Sequence, residues 1–149
     1  MSQHEKFAWG SLFASLLAWL FLTMRMTEDW AVVAASPRHM IWTYGTVVIL
    51  MIVAHAVLAG LLQARAGSGT QKDERDLAIA ARAERIEGVV VLVAVNVLII
   101  QALAEAAFAG HALPRADLGT LPVLFYALLT VLFLGHTTSQ AVTIWLYRA

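Results

Sequence analysis

No cysteine occurs in the 149 residues, which excludes a disulfide framework and any thiolate metal site, and leaves a metal ion only His, Asp and Glu as ligands. Charge is also scarce. Only 13% of residues are Asp, Glu, Lys or Arg, and ten basic and ten acidic side chains cancel to a net charge of zero. That balance removes the case for a direct nucleic-acid binder and for a polybasic anchor covering the whole molecule. Catalytic motifs are missing too: there is no phosphate-cradling glycine loop, no His-Glu-x-x-His, no nucleophile elbow and no pair of catalytic carboxylates. Ala66-Gly67-Ser68-Gly69-Thr70 lacks the preceding strand and the lysine of a phosphate loop and reads as a linker. No internal duplication marks an inverted-repeat transporter. An enzyme is not the expectation.

What the chain does have is apolar length. Hydrophobic residues make up 60%, and the mean hydropathy is +0.75, beyond what a soluble domain of this size hides. Apolar segments at 7–24, 40–63, 88–110 and 118–147 each reach the roughly 20 residues that a ~30 Å hydrocarbon core requires. The expected fold is all-α: one transmembrane domain over the whole chain, an integral membrane four-helix up-down bundle. The first segment follows a single lysine and lacks a small-x-small cleavage site, so it reads as a retained helix and not a signal peptide. Lys6, Arg65, Lys72, Arg75, Arg82, Arg85 and Arg148 fall on one side, against Arg25, Arg38 and Arg115 on the other. The excess assigns both termini and the long charged loop to the cytoplasmic side of a bacterial inner membrane. Trp30, Trp42, Tyr44, Trp145 and Tyr147 sit where interfacial aromatic belts belong.

Residues 73–87 predict a charged cytoplasmic helix, with Asp73 as its cap and acids in its first turn. It either runs on into the third span as one rod or hinges at Gly88. A helical wheel puts Lys72, Arg75, Arg82 and Arg85 on one side with Ile79 and Ile86, and Asp73, Asp76, Glu84 and Glu87 on the other. The i,i+3 pairs Asp73 with Asp76, Arg82 with Arg85 and Glu84 with Glu87 are like-charged, and only Lys72 with Asp76 attracts at i,i+4, so the helix does not neutralise itself. It is either a solvated stalk or a docking element, formed by Asp73, Glu74, Arg75, Asp76, Arg82, Glu84 and Arg85. As a docking element it would rest its basic side and isoleucines on anionic lipid headgroups, pair antiparallel with a second copy in a homodimer, or bind a cytoplasmic protein.

Asp73-Glu74-Arg75-Asp76, followed by Ile79, Ala83, Arg85 and Ile86 and then an apolar span, resembles the Asp-Glu-Arg…Ala-x-Arg-Ile signature of an uncharacterised family of small bacterial and archaeal multi-span membrane proteins. The resemblance covers about 72–98. It implies the topology and a regulatory role, and no catalytic residue.

Polar side chains at membrane depth are costly and normally face the bundle interior. The candidates are His55, Asn96, Gln101, Glu105, His136 and Gln140. At 1.5 Å per residue, His55 and Asn96 lie about 12 Å from the cytoplasmic ends of their spans and His136 about 16 Å. Three helices thus place polar groups at nearly one level, as an interhelical hydrogen-bond cluster, an axial haem site or a proton relay. Gln101 and Glu105 share a face at i,i+4, and Glu105 with His39 and His111 would form an outer site for a divalent metal or a proton; otherwise Glu105 meets interfacial water or an arginine. His136, Gln140 and Thr143 make a polar stripe on the fourth span, whose Ser and Thr hydroxyls are expected to bond to their own helix. Small residues at four-residue spacing, Gly10-Ala14-Ala18, Ala56-Gly60 and Ala102-Ala106-Gly110, offer close-packing seams, one of them for self-association as a dimer. The expected function is regulatory or scaffold-like, through protein contacts of the charged helix. The alternative is a haem-binding or proton- or metal-handling bundle.

Overall fold

A computed structural model describes residues 2–29, 31–66, 73–108 and 117–149, with the side chains of Gln63, Arg65 and Ala66 left aside. The described residues form α1 (Gln3–Met26), a two-stranded ribbon β1 (Thr27–Glu28) and β2 (Ala31–Val32), α2 (Pro37–Ala66), α3 (Glu74–Ala107) and α4 (Leu121–Arg148). All four helices are long and apolar enough to cross a membrane.

Local chemistry sets the ends of these elements. Ser2 caps α1 by accepting from the Glu5 amide at 3.0 Å, the sequence arrangement of a capping box. Ser36 does the same for α2 from the His39 amide at 3.2 Å, with Pro37 at the first helical position, where its missing N–H costs nothing. The antiparallel ribbon pairs Thr27 with Val32 and Glu28 with Ala31, and Asp29 takes the positive φ of 48° that the tight reversal demands. Asp117 also has a φ of 48°, and its carbonyl accepts from the Thr120 amide at 3.0 Å. That turn delays α4 to Leu121, three residues beyond the 118 expected from hydropathy. Leu118 is instead buried in the turn.

The charged segment and the third span are one helix of 34 residues, about 51 Å long. Gly88 lies inside it with no hinge, and Asp73 stands at the N-cap without a side-chain cap bond. Lys72, Trp30 and Gly110 lie outside the described residues.

The helices run up and down and pack chiefly in the order α2, α1, α4, α3. Antiparallel pairing of α1 with α4 is visible in its bonds: Ser11 with His136, Trp19 with Thr130 and Thr23 with Tyr126. α1 is the central element. It buries Glu5, Ala8, Ser11, Ser15, Ala18, Leu22 and Met26, one stripe at three- and four-residue spacing. Toward the ribbon end this stripe joins Met40 and Val47 of α2 and Leu129 and Phe133 of α4 in an apolar core. Toward the end that holds both termini it becomes small and polar.

Two glycines mark close approaches. A methyl group on Gly135 would stand 2.4 Å from Val91 Cγ2, and one on Gly10 would stand 2.5 Å from Leu58 Cδ2. The first contact is with a stiff β-branched side chain and the second with the free end of a leucine, so Gly135 is the stricter requirement. Gly10, Ala14 and Ala18 do meet α2, whereas Ala56, Gly60, Ala102 and Ala106 face outward.

Candidate functional site

The polar layer forms around a residue that depth counting did not single out. Ser11 Oγ, fully buried, lies 2.8 Å from His55 Nε2 and 3.0 Å from His136 Nε2. The direction of these bonds follows from their outer partner. His55 Nδ1 is 2.8 Å from the Met51 carbonyl, which only accepts, so Nδ1 carries the proton and the Nε2 of the neutral ring offers its lone pair. Ser11 therefore donates to His55, and its oxygen accepts from His136 Nε2–H. The two rings sit edge to face at 5.6 Å, and Phe7 covers His55 at 6.0 Å. Ser15 donates to the Ser11 carbonyl at 2.7 Å. The result is a directed hydrogen-bond chain linking α4, α1 and α2.

Asn96 is not part of it. Its side chain is exposed and donates to the Leu92 carbonyl of its own helix at 2.8 Å. Val91 and Glu87, not Asn96, lie against Gly135 beside His136, so Asn96 stands further toward the ribbon end and on an exposed side of α3. Gln140 lies elsewhere too, lining a cleft at the termini end with His4, Asp76, Glu84 and Tyr147. The hydroxyls of Thr138 and Thr143 bond to Leu134 and Ser139 carbonyls of their own helix.

Haem does not fit the histidine pair. Axial ligands need free Nε2 atoms on opposite faces of a macrocycle, and both Nε2 atoms here converge on one buried hydroxyl. At the ribbon end, Gln101 Nε2 donates to Glu105 Oε1 at 2.9 Å, and Glu105 Oε2 accepts from the Leu118 amide at 3.0 Å. The carboxylate thus ties α3 to the turn before α4. His39 is 3.4 Å from the Arg25 carbonyl, on the α1–α2 side. His111 lies outside the described residues, and among those described no three His, Asp or Glu side chains are grouped to hold a metal ion.

A second polar layer closes the termini end. Tyr147 donates to Asp76 at 2.5 Å, and His4 Nδ1 stands 3.3 Å from the same carboxylate. The hydrogen bond from Tyr147 is the main cause that holds the Asp76 carboxyl below its ordinary value. Buried Glu5 pairs with Arg148 at 3.1 Å, and the Arg148 guanidinium lies 5.3 Å over the Trp9 ring. Ile79 and Ala83 are buried beneath these contacts, and Ile86 is half-buried. The isoleucines therefore face the protein and are not available to rest on headgroups, and Asp76 is bonded within the chain and not held for an antiparallel copy. Asp73, Glu74, Arg75, Arg82 and Arg85 are exposed, as is Glu84 at the rim of the cleft.

Sequence reasoning missed Ser11, Glu5 and Tyr147 because each has a bland use: a hydroxyl bonding its own helix, a terminal charge, an interfacial aromatic. The signal was the spacing of Glu5, Ala8, Ser11, Ser15, Ala18 and Leu22, which marks one small, semi-polar face on an otherwise apolar helix. No family model, curated protein or solved structure matches the chain.

Proposed function

We propose that this is a non-enzymatic protein of the bacterial inner membrane that presents the charged extension of α3 as a rigid docking helix to an acidic partner protein in the cytoplasm, in a regulatory or scaffold role. The observation that carries this reading is the continuity of α3: its extension is one helix with the span and is fastened on one side by Asp76, Ile79 and Ala83 to α1 and α4. Only its far side is left for other molecules. A segment that served topology alone needs neither the fastening nor a fixed orientation.

The directed Ser11 chain fits this role as a lock. Hydrogen bonds between spans contribute roughly 0.6 to 2 kcal/mol each, and these join the three helices α1, α2 and α4 at one level, while Asp76 and Tyr147 join α3 to them. The expected outcome of reversing Arg75, Arg82 and Arg85 to Glu is loss of a discrete crosslinked complex in cells, with the protein still inserted and at normal abundance. Complexes that survive the triple reversal unchanged overturn the proposal.

A further inference from the structure

The apolar part of α3 buries no residue within the chain. Glu87 and Val91 mark the side against α4, since both come close to Gly135. Asn96 stands nine residues on from Glu87, two and a half turns, and so on the opposite side of the helix. There it is the centre of a stripe at alternating spacing of three and four: Val89 (55% exposed), Leu92 (63%), Asn96, Ile99 (52%) and Leu103 (65%). Leucine and isoleucine on this face suit lipid. A carboxamide does not: it has used one N–H on the Leu92 carbonyl, and its second N–H and its Oδ1 have no recorded partner, at the middle of the hydrocarbon layer, where water is absent.

We infer that this stripe is the interface between two copies of the chain, paired in parallel about a two-fold axis along the membrane normal, with the two Asn96 carboxamides bonded to each other. Three observations select a second copy over another occupant. A carboxamide carries both donor and acceptor and so complements itself. All copies insert in one orientation, which forces their α3 helices to run parallel and brings residues near the axis against their own counterparts. Finally, Asn96 is the central layer of a seven-residue pattern, the position at which an asparagine fixes pairing and register between helices. Arg82 and Arg85 continue the stripe beyond Val89, where like charges would meet; a crossing of about 20° at Asn96 parts the helix ends there, and water and salt screen the remainder.

The absence of cysteine makes the test direct. Single-cysteine variants of the full chain in native membranes, oxidised briefly, are expected to form dimers at L92C and I99C, and also at V89C and L103C, but not at I52C or V57C on the exposed face of α2. In bicelles, N96L weakens the dimer about 3- to 30-fold, the range set by one interhelical hydrogen bond, while N96Q keeps most of it. Crosslinking as strong on α2 as on the stripe, capture of a different protein by the stripe cysteines, or N96L dimers as strong as native ones would overturn the interface. R82Q/R85Q should leave the dimer as strong or stronger. Its loss in that variant would place association in the charged extension and overturn the stripe, whereas survival of the dimer with loss of the cytoplasmic complex separates this interface from the docking helix.

Discussion

α1 and α3 invert the expectation carried over from soluble proteins. α3 holds the more apolar span, yet its two buried residues, Ile79 and Ala83, both lie outside that span. α1 has the less apolar span, yet it buries seven residues, among them Glu5, Ser11 and Ser15. In lipid the hydrophobic effect does not choose between a neighbouring helix and an acyl chain, so association follows close packing of small residues and hydrogen bonds between polar ones. α1 has both along one stripe and becomes the centre of the fold. α3 leaves its small residues Ala102 and Ala106 and its Asn96 outward, unused within the chain, and becomes an edge.

The sharpest way to break this comparison is to exchange bulk between the two helices. Ser15→Leu puts a large side chain into a position with no exposed surface and is expected to destabilise by about 1–3 kcal/mol or more. Ile99→Ala on α3 removes far more apolar surface, yet should change the stability of one chain by less than about 0.5 kcal/mol. Reversible unfolding in mixed micelles, at a dilution where single chains predominate, reads both; a costlier Ile99→Ala would refute the contrast.

Ser11→Ala sharpens it at the level of single bonds. The substitution leaves His136 Nε2–H and His55 Nε2 without their shared partner, for an expected cost of about 1–3 kcal/mol. Ser139 is also buried but its hydroxyl bridges no pair of side chains among the described residues, so Ser139→Ala should cost less. Equal losses for the two alanines would reduce Ser11 to packing.

The smallest effect concerns pH. Asp76 has its carboxyl held low by Tyr147, so it contributes stability at neutral pH that is present above the ordinary aspartate value of about 3.9 and is lost as pH falls below it. Asp76→Asn should remove that acid-side loss and slightly loosen the α3 extension at pH 7, measurable by hydrogen exchange at the amides of 77–83. Exchange there that is indifferent to both pH and Asp76→Asn would detach Tyr147 from the fastening.

How much of this was legible in the sequence depends on how many coordinates a feature needs. Spans need only composition and length, and the four helices follow from them. The shared level of His55 and His136 needs only depth. Asn96 needed the axial offset and the azimuth of α3 against α4, both of which depend on Gly135 admitting Val91, a contact that no single-helix pattern announces. Continuity through Gly88 was open because a glycine between an aqueous and an apolar helix tolerates either form, and burial of Ile79 and Ala83 against α1 and α4 decided it. Ser11 lay between Gly10 and Ala14, hidden inside a seam of small residues that was visible, while the polar use of that seam was not.

The most direct test of the whole account is a photocrosslinking scan along the extension of α3, with a photoreactive side chain placed in turn at positions 74 to 85 of the otherwise native chain in cells. The account predicts intermolecular adducts at 75, 82 and 85, none at 79 or 83, and adducts from 76 only within the chain. Adducts at every position, or strongest at 79 and 83, would show an extension free of α1 and α4 and would contradict it.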